Sequence, residues 1–161
     1  MSKTQIIPAA ATEPDVAAGT AQFLSPVVLG LQALAVNGKQ AHWNVRGKNF
    51  IAIHELIDTL VEHAQDGADT AAERIVALGL PVDARLETVA AKTKATAVAA
   101  GFEQWEDTVR ALIADIDAVT ADVQAAIDGL DEIDLSSQDV VIGIMRELQK
   151  DRWFLFAHIA D

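Results

Sequence analysis

From Asn49 to Leu78 the chain runs without a proline, and an apolar residue returns every three or four positions: Ile53, Ile57, Leu60, Ala64, Ala71, Ile75 and Leu78. This spacing predicts a long helix that buries one stripe. The same stretch carries a second stripe of another kind. At about 100° per residue, His54, Asp58, Asp69 and Glu73 lie within roughly 100° of one another, in a band centred about 140° from the apolar positions. They face away from the core that the helix itself helps to build.

His54 with Asp58, and Asp69 with Glu73, are pairs four residues apart, whose side chains can converge on one ion. The two pairs cannot meet within one helix, because Asp58 and Asp69 are separated by roughly 16 Å of helix axis. A second copy of the helix, antiparallel across a two-fold axis, removes the difficulty. Such a partner matches residues whose numbers share one sum, and both His54 with Glu73 and Asp58 with Asp69 share the sum 127. One register, with its axis between His63 and Ala64, therefore faces His54 with the partner's Glu73 and Asp58 with the partner's Asp69. Each dimer then carries two identical sites roughly 22 Å apart. A plainly solvated face also accounts for four polar residues; the shared sum is what singles these out.

A chain of 161 residues is one domain with room for a real core. With 51% hydrophobic but only 5% aromatic residues, its composition suits closely packed helices. Cysteine is absent, which removes disulfides and thiolate metal sites and fits a reducing cytoplasm. The net charge of −12 works against phosphate backbones and favours cations.

Residues 1–19, with Pro8, Pro14 and Gly19, read as a flexible tail ahead of a single domain over 20–161. Lys3 is the tail's one lysine, so it is not a basic arm, and no signal-peptide pattern is present. Val16–Gly38 holds no charge over 23 residues, long enough to raise a membrane span. Thr20, Gln22, Ser25, Pro26, Gln32 and Asn37 interrupt it, however, and Leu24, Val27, Val28, Leu31, Leu34 and Ala35 repeat at helical spacing. A soluble first helix is expected, its main body capped by Ser25 before Pro26, with an earlier start left open. It ends near Val45, before Gly47, with His42 in the last turn.

The second helix stops at Gly79 and Pro81. A crossing segment over 82–100 follows, with a short helix around Leu86, Val89 and Ala90. A third long helix is read from Phe102, Trp105, Val109, Leu112, Ile116, Val119, Val123, Ile127 and Leu130, with Trp105 in the core. Ser136 or Ser137 starts a fourth, through Val140, Ile144, Leu148, Leu155 and Ile159. Trp153, Phe154 and Phe156 read as packing, and His158 receives no role. These features predict an all-α, ferritin-like four-helix bundle with a short helix in the long second-to-third connection. No histidine has a glutamate three residues before it, so the bundle's own core is expected to be free of metal.

His42-Trp43-Asn44-Val45-x-Gly47, followed by Phe50, His54, Asp58, Asp69 and the run Ala72-Glu73-Arg74-Ile75, resembles the signature of the Dps family, the mini-ferritins of starved bacterial cells, in its actinobacterial form. Trp153-Phe154-Leu155 is similar to that family's last helix. The resemblance runs from about Thr20 to the C-terminus. It implies a cytoplasmic, hollow homododecamer with an iron site at each two-fold interface. His42, His54 and Asp58 would come from one subunit and Asp69 and Glu73 from its neighbour, a pairing that the shared sum reached without the family. The part of His42 rests on the resemblance, since it also reads as a helix-end histidine. Trp43 reads equally as interface packing; the resemblance places it near the iron, as an electron donor to reactive oxidants.

Imidazole and carboxylate donors suit Fe(II), and equally zinc or manganese. The activity implied is a ferroxidase that passes electrons from Fe(II) to hydrogen peroxide, or to oxygen, and stores the ferric product as mineral. Glu62 and Asp66 can tune the site or simply be solvated. Asp131, Asp134 and Asp139 resemble the family's acidic entry pore, and equally a negative first turn favoured by the helix dipole. Two further readings stand beside this one. His54-Glu55-x-x-Asp58 is loosely similar to a zincin helix, which would suit a metal-dependent hydrolase of N-acyl amino acids, although the second histidine is missing. The other is a DNA-compacting shell, which the acidic, lysine-poor ends disfavour; DNA binding is expected to be weak or absent.

Overall fold

The computed structural model describes residues 12–160. The first helix, α1, spans Pro14–Asn44 and begins well ahead of Ser25. Proline at its first position and Asp15 in its first turn both suit a helix N-terminus. Residues 1–11 of the expected tail lie outside the described residues, and Pro14–Gly19 are already helical. Pro26 therefore sits inside the helix, where its missing N–H leaves the Gln22 carbonyl without its usual donor. The Ser25 hydroxyl donates to the Ala21 carbonyl at 2.6 Å. Leu24, Val27, Val28 and Leu31 around this point are all buried, and that packing carries the helix through the proline.

At its other end α1 stops in a two-residue strand, β1 (Val45–Arg46), and Gly47 turns the chain at φ +117°. A side chain at Gly47 would meet the Trp105 ring at 2.6 Å, so both dihedral and space demand glycine there. The second helix, α2, spans Phe50–Ala77 and ends before Gly79 at φ +87°. A short α3 (Leu86–Lys92) buries Val89 in the crossing segment. Strand β2 (Glu103–Gln104) then pairs with β1 in parallel, Val45 opposite Glu103.

The last two helices are α4 (Trp105–Leu130) and α5 (Leu135–Ala157). Phe102, read as the first residue of the third helix's stripe, instead precedes β2 and is exposed, with the Arg46 guanidinium 3.1 Å above its ring. Pairing with β1 holds Glu103 and Gln104 extended and delays the helix to Trp105. Neither Ser136 nor Ser137 caps α5: Asp134 does, accepting from the Ser136 N–H at 3.1 Å.

Helix α1 packs on α2 and α4, and α5 closes the bundle against α4 and α2. Leu31, Ile57, Leu60, Leu112, Ile116 and Leu148 lie in one continuous core. Burying each such side chain stabilises the fold by about 1.5–3 kcal/mol. Among the described helices α1 alone is long and apolar enough to cross a membrane, and its buried face in the bundle accounts for that composition. Helices α1 and α2 approach closely at Gly38, where a Cβ would stand 2.7 Å from Val61 Cγ2. This close approach lies one turn before His42 and brings the end of α1 against the start of α2.

Candidate metal centre

His42 lies in the last turn of α1, and His54 and Asp58 on the first turns of α2. The two imidazoles stack, with centroids 3.6 Å apart and 22° between planes, and Phe50 packs on His54 at 5.0 Å. Each ring is held by the other's backbone: His42 Nδ1 lies 3.0 Å from the His54 carbonyl, and His54 Nδ1 lies 3.0 Å from the His42 carbonyl. A ring nitrogen facing a carbonyl oxygen must carry the proton, so the neutral form of each ring keeps its lone pair on Nε2. This is the arrangement that prepares a histidine as a metal ligand. The bond from His54 also satisfies one of the carbonyls left unpaired at the end of α1. His42 is thus buried and oriented at a helix end, and both readings of it describe the same geometry.

Asp58 Oδ1 lies 3.2 Å from His42 Nδ1 and accepts from Lys39 Nζ, one turn earlier on α1. The Lys39 hydrogen bond, aided by the nearby imidazoles and opposed by partial burial, holds the Asp58 carboxyl below its usual range. Asp58 is therefore ionised at neutral pH and already faces a cation. Lys39 was not legible as a partner, because the contact joins two helices; its one sequence signal is its place three residues before His42.

Asp69 and Glu73 lie further along α2, exposed, and among the described residues neither makes a side-chain hydrogen bond or an ion pair. The uninterrupted helix keeps them roughly 16 Å from Asp58, as the spacing requires. Within one chain, no three His, Asp or Glu side chains among the described residues form a group able to hold a metal ion. Within the chain the His42, His54 and Asp58 group and the Asp69 and Glu73 pair stay apart. Trp43 is 67% exposed beside His42, and no packing among the described residues buries it.

The three acids of the candidate pore differ. Asp134 is committed to capping α5 and to Ser137 and Arg74, at 2.6 and 2.7 Å. Asp131 accepts from Gln138 Nε2 at 3.1 Å, and Asp139 has no side-chain hydrogen bond among the described residues. Both are exposed.

Residues 27–161 match the ferritin-like domain family. Over 129 residues the chain is 39% identical to the DNA protection during starvation protein of Agrobacterium fabrum, a match covering 80% of each chain. The fold superposes with a TM-score of 0.93 on Dps from Microbacterium arborescens, solved in a high iron form, at 67% identity over 95% of this chain and 100% of that one. The chain belongs to the Dps family. Its likeness to the Dps family's DpsA14 from Streptomyces coelicolor covers 98% of this chain and 93% of that one, at 31% identity and a TM-score of 0.88. As a Dps family member it is a mini-ferritin, with a role in iron storage. The family assignment favours neither the amide hydrolase nor the DNA-compacting shell.

Proposed function

We propose that this mini-ferritin is a ferroxidase whose site is completed between two-fold related subunits of a cytoplasmic homododecamer. The observation that carries the reading is the pair of imidazoles whose Nδ1 atoms are held by backbone carbonyls while Asp58 stands ionised beside them. His42, His54 and Asp58 supply one half, and the Asp69 and Glu73 positions of a neighbouring copy supply the other. The high iron form of the Microbacterium arborescens relative supports iron as the substrate metal.

In this reading each of two Fe(II) ions gives one electron to hydrogen peroxide. The O–O bond breaks, two protons are taken up and two waters leave, so no hydroxyl radical is released. Molecular oxygen is the slower alternative oxidant. Trp43, exposed at the rim, is placed to donate an electron to any stray oxidant. Fe(III) then hydrolyses and collects as mineral inside the shell, and Asp131 and Asp139 line the acidic route by which Fe(II) enters. The relatives' name speaks of DNA protection, but a chain of net charge −12 binds duplex DNA weakly at physiological salt.

Anaerobic addition of Fe(II) followed by peroxide tests the proposal. Rapid formation of Fe(III), retained by the protein well beyond the ions its sites bind directly, is expected. Slow oxidation with the iron left in solution would overturn the reading.

A further inference from the structure

On the flank of α2 opposite His54, roughly 180° around the helix by its spacing, His63 is built into a different cluster. Its Nδ1 faces both carboxylate oxygens of Asp151 on α5, at 2.9 and 3.0 Å. Asp151 is only 2% exposed, a carboxylate taken almost wholly out of water to grip one imidazole. Burying a carboxylate is costly, and a lone structural tie between α2 and α5 does not call for one. A carboxylate on Nδ1 is, however, the outer partner that fixes a histidine so that Nε2 can hold a metal.

Nε2 of His63 lies 3.3 Å from Oε1 of Glu147, one turn before Asp151 on α5. That separation is long for a charged hydrogen bond. It suits two ligands of one ion: with both bonds about 2.1 Å, a gap of 3.3 Å corresponds to an angle of about 105°, close to tetrahedral. The pair opens on a groove of about 490 Å³ between α2 and α5, which Asp66 also lines. Gly143, on the groove's α5 wall, has open space where a side chain would be, which leaves room for water ligands. The nearby cations are Arg146, which lines the groove, and Lys150, whose Nζ is 3.4 Å from the same Glu147 oxygen at an exposed position.

We infer that His63 Nε2 and Glu147 form a second divalent-cation site, for a first-row transition ion completed by water and positioned by Asp151. Its donors are one imidazole nitrogen and carboxylate oxygen, and thiolate takes no part. It shares no ligand with the interfacial site and lies within a single chain, so the two can be loaded and lost independently.

The test uses the assembled protein with His54→Ala, Asp58→Ala, Asp69→Ala and Glu73→Ala introduced to disable the interfacial site, titrated with Co(II) and read by its visible absorption. One tightly bound Co(II) per chain with the spectrum of a nitrogen–oxygen site is expected. Glu147→Gln, which leaves the His63–Asp151 pair in place, should weaken it at least tenfold, and His63→Ala should abolish it. Asp151→Asn, at the positioning residue, should weaken binding about 10–100-fold. The inference is overturned if the interface-disabled protein binds no Co(II), or if Glu147→Gln binds it as well as its parent does. Because the interfacial site is already disabled, neither outcome depends on the ferroxidase reading.

Discussion

Two inactive chains should restore activity to each other. Let one carry His54→Ala and Asp58→Ala and the other Asp69→Ala and Glu73→Ala, so that neither retains a whole site in a dimer with itself. In a mixed dimer the antiparallel register gathers all four substitutions into one site and leaves the other intact. With equal amounts pairing at random, half of the dimers are mixed and half of their sites are whole, so about a quarter of the wild-type sites return. The structure sets the collateral cost. Asp69 and Glu73 are exposed and make no side-chain hydrogen bond among the described residues, while removing His54 sacrifices its bond to the His42 carbonyl, about 1 kcal/mol. Both parents should therefore fold and assemble. The initial rate of Fe(III) formation after peroxide addition reads the result, and native mass spectrometry confirms that mixed assemblies exist. If those assemblies are present and oxidise iron no faster than either parent, the shared site is refuted.

Other outcomes follow from single contacts. Lys39→Met removes the ammonium that Asp58 now faces, and at this half-exposed site the gain in divalent-cation affinity should be about threefold to tenfold, read by Co(II) titration; weaker binding would contradict the placement. Ile57→Ala, at a fully buried position beside Gly38, should cost about 2–5 kcal/mol in a denaturant titration. Asp134→Ala should cost about 0.5–2 kcal/mol at pH 7 through loss of the α5 cap. Burial works against the ionised Asp134, but the hydrogen bonds from Ser137 and Arg74 outweigh it and depress its pKa below 3.8. Its contribution is therefore present above that value and lost as the pH falls through the folded-state value, so wild type and variant should converge in acid unfolding.

The apolar periodicity made most of the bundle legible: α2 falls within a residue of the span read from Asn49 to Leu78, and the short helix of the crossing segment appears where Val89 marked it. The errors lie where tertiary contacts outvote local signals. Pro26 reads as a helix start, yet buried neighbours on both sides carry α1 through it. Phe102 fits a helical stripe, yet pairing with Val45 and Arg46 holds the following residues extended. At the candidate metal centre, spacing along one helix singled out His54, Asp58, Asp69 and Glu73 together. It was silent on Lys39 and on Asp151, because each meets its partner across helices far apart in the chain.

Helix α2 acts as a ruler. In the proposed site, every ligand but His42 is marked on this one rigid rod, so the distance between the two groups is a count of residues and a two-fold partner reads the same count backwards. Exposed side chains between Asp58 and Asp69, such as Thr59 and Gln65, can change with modest effect, and so can the length of the loop after Ala77, whereas the turn at Gly47 also sets His42 against His54. Adding or deleting a single residue in that interval would rotate one half by about 100° and spoil both interfacial sites of a dimer at once.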